Sequence, residues 1–276
     1  MGIGRLGFWD TPHGWDRLGE PATLAALEEL GISTLWLGGS PNGDLRTTEE
    51  LLAASTTLTV ATGIVNVWEA APAVTAESFH RVVAKYPGRL LLGIGAGHRA
   101  IIGDRYEKPY DKLVNYLDGL DAGGVPVEDR MLAALGPKVL RLARDRTAGA
   151  HPYLTTPEHT AQAREILGAG KLLVPEQKVV LDPDPARARA VAREKLAMYL
   201  ALSNYTNNWL RLGYTEDDLA DGGSDRLVDG LVAWGDEEAI RTRVRAHLDA
   251  GADQVALQVL GDDKLAVLRA LTPALV

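Results

Sequence analysis

Eight short apolar runs, separated by stretches of helical period, constrain the fold of this chain more than any other feature. They cover residues 4–9, 34–38, 58–67, 90–95, 130–135, 147–153, 171–181 and 254–260. Most lack the polar alternation of a half-exposed strand, as expected where helices cover both faces of parallel strands. Between them Leu24, Leu27 and Leu30 share one helical face that Gly31 stops, and Ile240, Val244 and Leu248 share another that Gly251 stops. Asp236, Glu237 and Glu238 crowd the first turn of that last helix, where negative charge suits the dipole. Phe79, Val82 and Val83 mark a further helix, closed by Pro87 and Gly88. The unit helix, glycine, turn, strand recurs in LEELGISTLWLG, LARDRTAGAHPY and HLDAGADQVALQV. It is the αβ half of a repeated βα unit. Eight such strands predict an α/β chain folded as a (β/α)8 TIM barrel, with a doubly wound sheet as the competing architecture. Residues 1–276 read as one domain, because no low-complexity linker interrupts them. Segments 99–129 and 185–229 exceed simple connections and read as insertions or extended helices at the strand C-terminal face.

Composition enters by exclusion. A chain that is 46% hydrophobic is not disordered, and one without cysteine has no disulfide, thiolate metal site or cysteine nucleophile. A net charge of -8 opposes nucleic-acid binding, whose footprint is basic. No apolar run approaches the ~20 residues of a membrane span. Met1 opens almost directly on the first run, without a secretory pattern, so the expected compartment is cytoplasmic. A small-molecule substrate is the expected partner, with no nucleic acid and no membrane. Oligomeric state is left open, a homodimer included.

Barrel enzymes place their chemistry at strand C-terminal ends, so the residues that follow each run matter most. Trp9, Asp10 and His13 follow the first; Ser40, Asn42 and Asp44 the second; Asn66, Trp68 and Glu69 the third. His98 and Arg99 follow the fourth, and His151, Pro152 and Tyr153 end the sixth. Three of the six histidines, His13, His98 and His151, are then expected at one mouth, although each could equally serve as a structural hydrogen-bonding group. His80, His159 and His247 fall within predicted helices and read as surface residues. A hydrolytic metal centre ordinarily shows a tight His-x-His pair or a dense carboxylate and histidine set, and neither occurs, so no metal is expected. No G-x-S-x-G elbow occurs either.

In LGIGAGH, residues 92–98, Gly93, Gly95 and Gly97 alternate instead of following the dinucleotide pattern. Such glycines leave room either for a flat ligand against the backbone or for close packing inside a barrel. Helices open at Gly136-Pro137 and Thr156-Pro157, and each start offers free N–H groups to an anion or to ordinary capping.

The stretches ATGIVNVW (61–68), LLLGIGAGH (90–98) and AALGPKVLRLARDRTAGAHPYLTTPEHT (133–160) together resemble the luciferase-like monooxygenase superfamily, and its branch of deazaflavin (coenzyme F420)-dependent oxidoreductases in particular. WLGGSP (36–41) and HLDAGADQVALQVL (247–260) fit the same branch, so the likeness covers nearly the whole chain. It implies a (β/α)8 barrel with the cofactor ring at the strand C-terminal ends. It also implies a bulge in the third strand behind the ring, often with a cis peptide between non-proline residues, at the place of Gly63-Ile64 here. The cofactor-binding residues expected on this basis and from strand-end position are Trp9, Ser40, Gly63, Ile64, Val65, Asn66, Gly97, His98, Ala134, Gly136, Pro137, His151, Pro152, Tyr153 and Thr156. Sugar-phosphate dehydrogenases of the superfamily carry an Asp-His pair after the second strand and a Glu after the fourth. Gly39-Ser40 and His98 stand there in this chain, so that acid/base machinery is not inherited. His98 is the expected catalytic proton-transfer residue. The implied activity is hydride transfer between F420 and a small organic substrate. An FMN-dependent monooxygenase is the alternative, and a barrel that merely binds a flavin-like ligand is a third class.

Overall fold

A computed structural model describes residues 3–275; the expectation about Met1 therefore lies outside the described residues. Among the described residues eleven strands are formed: β1 (Leu6–Asp10), β2 (Thr34–Gly38), β3 (Thr59–Gly63), β4 (Val65–Asn66), β5 (Leu90–Gly95), β6 (Arg130–Leu132), β7 (Gly149–Ala150), β8 (Leu172–Leu173), β9 (Glu176–Leu181), β10 (Val232–Gly235) and β11 (Val255–Val259). The helices in the first half are α1 (Pro21–Glu29), α2 (Arg46–Ala54), α3 (Pro72–Lys85), α4 (Arg99–Ile102), α5 (Pro109–Ala122) and α6 (Pro137–Arg146). Those that follow are α7 (Pro157–Leu167), α8 (Pro185–Leu200), α9 (Ser203–Arg211), α10 (Glu216–Leu219), α11 (Asp225–Leu231), α12 (Glu237–Asp249) and α13 (Lys264–Leu271). α1, α3, α5, α6, α7 and α8 all open on proline, whose fixed φ and missing N–H suit the first helical position.

Every ladder is parallel, and the order β11-β1-β2-β3-β5-β6-β7-β8 follows the chain, which excludes the doubly wound alternative. The sheet closes because β8 and β9 are one strand interrupted only at Val174 and Pro175. On one edge the amides of Leu172, Val174 and Glu176 donate to the carbonyls of Ala148, Ala150 and Pro152 at 2.8, 3.0 and 2.9 Å. On the other, Ala256 N–H donates to Pro175 O and Leu260 N–H to Val179 O, both at 2.9 Å. The result is an eight-stranded barrel ringed by helices. β10, which the sequence reading did not separate from the end of the helical region 185–229, pairs with the upper part of β9 from Val232 opposite Lys178.

Side chains of alternate residues fill the barrel: Trp9, Trp36, Ala61, Leu91, Met131, Val174 and Ala256 form the inner cluster. A larger layer, including Phe8, Leu35, Val60, Leu92, Val179 and Leu257, lies between the strands and the helices. A separate cluster gathers Ala188, Leu196, Tyr205, Trp209 and Leu227 from α8, α9 and α11 with Leu154 and Val180. Two histidines read as surface residues are buried. His159 on α7 is 2% exposed and His247 on α12 is 0% exposed. His247 is satisfied on both ring nitrogens, by Thr160 Oγ1 and Gln177 Oε1 at 2.8 and 3.0 Å, whereas His159 pairs Nε2 with Leu135 O at 2.8 Å and leaves Nδ1 buried without a partner. His80 does lie at the surface.

Among the described residues no helix is long and apolar enough to cross a membrane, and no group of three or more His, Asp or Glu is placed to hold a metal ion.

Candidate active site

The C-terminal ends of the strands open into a cavity of about 670 Å³. Its floor comes from strand ends: Trp9, Gly39, Ser40, Gly63, Ile64, Asn66, Gly97, His98, Ala133, Ala134, His151 and Tyr153. Its other walls come from the segment after β5, with Ile101, Tyr106 and Tyr110, and from α8 and α9, with Met198, Tyr199, Asn204, Tyr205 and Arg211. Eleven of the fifteen expected cofactor residues thus share one cavity: Trp9, Ser40, Gly63, Ile64, Asn66, Gly97, His98, Ala134, Gly136, His151 and Tyr153. Val65, Pro137, Pro152 and Thr156 do not line it. Val65 is fully buried with its side chain in the layer behind the strands, and Thr156 caps its own helix by accepting from the His159 amide.

The peptide Gly63-Ile64 is cis, as the resemblance implies. The glycines of β5 serve packing: a Cβ on Gly93 would stand 1.9 Å from Thr62 O, and one on Gly95 2.8 Å from Ile64. Close approach of protein to protein, not of a ligand, accounts for those two. Gly97, with φ +60°, does line the cavity, packed against the Asn66 amide.

Three residues that line the cavity each hold a buried polar atom with no partner in the protein: Trp9 Nε1, His98 Nδ1 and His151 Nε2. His151 Nδ1 donates to Val174 O at 2.6 Å, which leaves Nε2 as a bare acceptor, and its ring stacks on Trp36 at 3.9 Å. Burial lowers its pKa to about 4, against the hydrogen bond to Val174, so the ring is neutral. Burial also holds the His98 pKa below the ordinary histidine value, opposed by the Asn204 side chain. The His98 ring lies 5.5 Å from Tyr205. Leaving such atoms unpaired costs about 1–3 kcal/mol each, so the surface favours a ligand that donates and accepts hydrogen bonds in its plane. At one edge Gly136, Lys138 and Arg211 come together where the ten-residue helix α6 begins, and the cation pair with a helix N-terminus suits a phosphate.

His13 does not join His98 and His151. It lines a separate cleft with Trp15, Asp262 and Arg269. Asp10 is buried in an ion pair with Lys264, tying the end of β1 to α13. Trp68 Nε1 donates to Ala96 O at 2.8 Å, and Glu69, at the cavity rim, pairs with Arg105 at 3.0 Å.

Sequence reasoning missed a buried group behind Tyr153. Lys178 Nζ donates to Tyr153 Oη and Gln258 Oε1, each at 2.7 Å, and lies 3.3 Å from Glu176 Oε1. The signal was legible: Glu176 and Lys178 are two apart in a strand covered on both faces, so both charges must point into the barrel. Tyr199, Asn204, Tyr205 and Arg211 carried no such signal, because helices outside the barrel repeat supply them.

The family model for luciferase-like monooxygenases matches residues 10–123. Over those residues the chain is similar to the luciferase-like monooxygenase family. Among curated relatives, the 5,10-methylenetetrahydromethanopterin reductase of Archaeoglobus fulgidus is 23% identical, over 86% of this chain and 88% of that protein. Among solved structures, an F420-dependent secondary alcohol dehydrogenase in complex with an F420-acetone adduct superposes with a TM-score of 0.76 at 14% identity, covering 100% of both chains. The FMN-bound oxygenating constituent of 3,6-diketocamphane monooxygenase from Pseudomonas putida gives 0.69 at 15% identity, over 99% of this chain and 98% of that one. The chain therefore shares its fold with one structure that holds F420 and one that holds FMN.

Proposed function

We propose that this luciferase-like oxidoreductase transfers a hydride between coenzyme F420 and a small organic substrate. The observation that carries the reading is the cavity at the strand ends, lined by Trp9, His98 and His151, each of which keeps one buried polar atom without a partner in the protein. A deazaflavin ring carries N–H donors and carbonyl acceptors in one plane, which matches a bare acceptor at His151 Nε2 and a donor at Trp9 Nε1. Ile64 and Asn66 would support the ring from the third strand, and the α6 start with Lys138 and Arg211 would hold the phosphate. Of the two helix starts weighed from sequence, the one at Gly136 borders the cavity and the one at Thr156 does not. The cofactor supplies the hydride chemistry; the protein positions ring and substrate and excludes water. His98, held neutral near pH 7 by burial, is suited to take up a proton beside the ring.

Fluorescence titration of the purified protein with F420 and with FMN tests the reading. Saturable binding of F420, with weaker FMN binding, is the expected result. Preferential binding of FMN moves the chain to the oxygen-activating side of its family, and binding of neither refutes the assignment.

A further inference from the structure

The buried group behind Tyr153 is not used by the function proposed above, and its geometry is that of a proton path. Lys178 is 1% exposed and spends its three protons on Tyr153, Gln258 and Glu176. Glu176, 1% exposed, also accepts from the Leu154 amide at 3.1 Å. Tyr153 Oη lies 2.9 Å from Gln258 Oε1 and 3.0 Å from Tyr199 Oη. Both tyrosine rings line the cavity. When Tyr153 donates to Tyr199, the hydrogen of Tyr199 is free to point at a bound molecule. The hydroxyls and the ammonium then form one chain with a single polarity.

We propose that Lys178 is the proton reservoir for reduction of a carbonyl-bearing substrate, its proton reaching the substrate oxygen through Tyr153 and Tyr199. The proposal rests on the F420 reading for its hydride. As the carbonyl carbon receives a hydride from the reduced cofactor, the π electron pair of the C=O bond moves to oxygen. That oxygen takes the Tyr199 hydroxyl proton, Tyr199 takes the proton of Tyr153, and Tyr153 takes one from the Lys178 ammonium. The product is an alcohol, the cofactor is oxidised, and Lys178 is left as a neutral amine that regains its proton from solvent.

Three observations favour this route. Burial lowers the Lys178 pKa to about 8, with Glu176 opposing, so the ammonium persists at neutral pH yet gives up a proton readily. Burial raises the Tyr153 and Tyr199 pKa values, so these hydroxyls pass a proton on instead of resting as phenolates. The groups facing Lys178 are Glu176 from its own strand, Tyr153 after β7, Gln258 from β11, and Tyr199 and Tyr205 from α8 and α9. Tyr205 packs edge-on against Tyr199 at 5.0 Å and Trp9 lies 5.0 Å from Tyr153, so aromatic rings flank the two tyrosines of the path. Such surroundings suit a neutral carbonyl compound. His98, being neutral, takes up protons where Lys178 supplies them.

Tyr199→Phe and Tyr153→Phe each delete one hydroxyl of the path and retain the ring. Reduced F420 with acetone and cyclohexanone as probes gives turnover, F420 fluorescence gives binding, and carbon NMR of lysine labelled at Cε gives the titration of Lys178. Expected are unchanged F420 affinity in Tyr199→Phe, turnover lowered roughly 100-fold in both variants, and a wild-type profile that falls above about pH 8 and loses that limb in the variants. Lys178 should titrate near 8 in the wild type. Unchanged turnover in Tyr199→Phe, a lowered turnover whose pH limb is retained, or a Lys178 that stays protonated beyond about pH 10 overturns the path. Failure to reduce either ketone while F420 binds overturns the carbonyl assignment alone. Failure of the wild type to bind F420 overturns the cofactor reading, and the path with it.

Discussion

The protein should lose stability in mild acid, well above the range in which carboxylates are protonated. His247 sits between α12 and β9, and its tautomer follows from its neighbours. Gln177 Nε2 donates to the carbonyls of Lys178 and Leu231 at 2.8 and 3.0 Å, so Gln177 Oε1 must accept from His247 Nε2, and His247 Nδ1 accepts from Thr160. Burial, then the charge of Arg243, then His159 lower its pKa from 6.5 to about 3. For His151, burial lowers it from 6.5 to about 4. Each ring binds a proton in the unfolded chain near its ordinary pKa and resists one in the fold. The stability each contributes is therefore complete above about pH 6.5 and is lost as pH falls toward the folded value. At ~1.4 kcal/mol per pH unit, each histidine costs about 2 kcal/mol by about pH 5, and the pair about 4 kcal/mol. That is a large share of the ~5–15 kcal/mol that holds a typical domain together. Asp10 and Glu176, whose pKa values burial raises, act with the opposite sign and reduce the total. The single variant His247→Gln isolates the effect. Urea unfolding followed by tryptophan fluorescence at about pH 7.5 and about pH 5 should show a drop in the wild type that is about 2 kcal/mol smaller in the variant. An equal drop in both proteins refutes the assignment of the acid lability to His247.

Gly93→Ala should destabilise the barrel by about 3 kcal/mol or more, read as a fall in urea midpoint, because the new methyl would stand 1.9 Å from the backbone oxygen of Thr62. Arg211→Met should weaken F420 binding about tenfold, with a shallower salt dependence, if its guanidinium holds the phosphate beside Gly136; unchanged affinity removes it from that role. His98→Asn should keep cofactor binding and lower turnover by roughly 10²–10⁴. Equal turnover would leave His98 no part in proton transfer, and lost affinity with normal residual turnover would make it a cofactor ligand.

The barrel was legible because its strands are buried on both faces. The runs at 34–38 and 90–95 coincide with β2 and β5, since a parallel strand between two helical layers leaves an uninterrupted apolar segment. β10 escaped notice because Val232 follows the α11 residue Leu231 directly, with no glycine or proline between helix and strand. His247 was misjudged by its polarity, although it lies three residues after Val244 and seven after Ile240, within the apolar stripe of its helix. The floor of the site was readable because a strand end fixes where the next side chains go, which brought Trp9, Gly63, His98 and His151 together. Its opposite wall was not. Tyr199, Tyr205 and Arg211 belong to α8 and α9, and neither period nor spacing says which strand end a helix outside the repeat will cover.

The separate cluster formed by α8, α9 and α11 has a consequence for how such an enzyme diversifies. Tyr205 is packed among Ala192, Leu196, Trp209 and Leu227, mostly contributed by the same stretch of chain, yet its ring and that of Tyr199 border the cavity. The half of the pocket that meets the cofactor ring is anchored in the strands, whereas the facing half rides on an inserted cassette with a core largely its own. Changes of size or polarity within that cassette can redraw the set of molecules admitted without disturbing the ring beneath them. Directed evolution toward a new substrate should therefore concentrate its accepted substitutions between residues 185 and 231 and spare the strand ends.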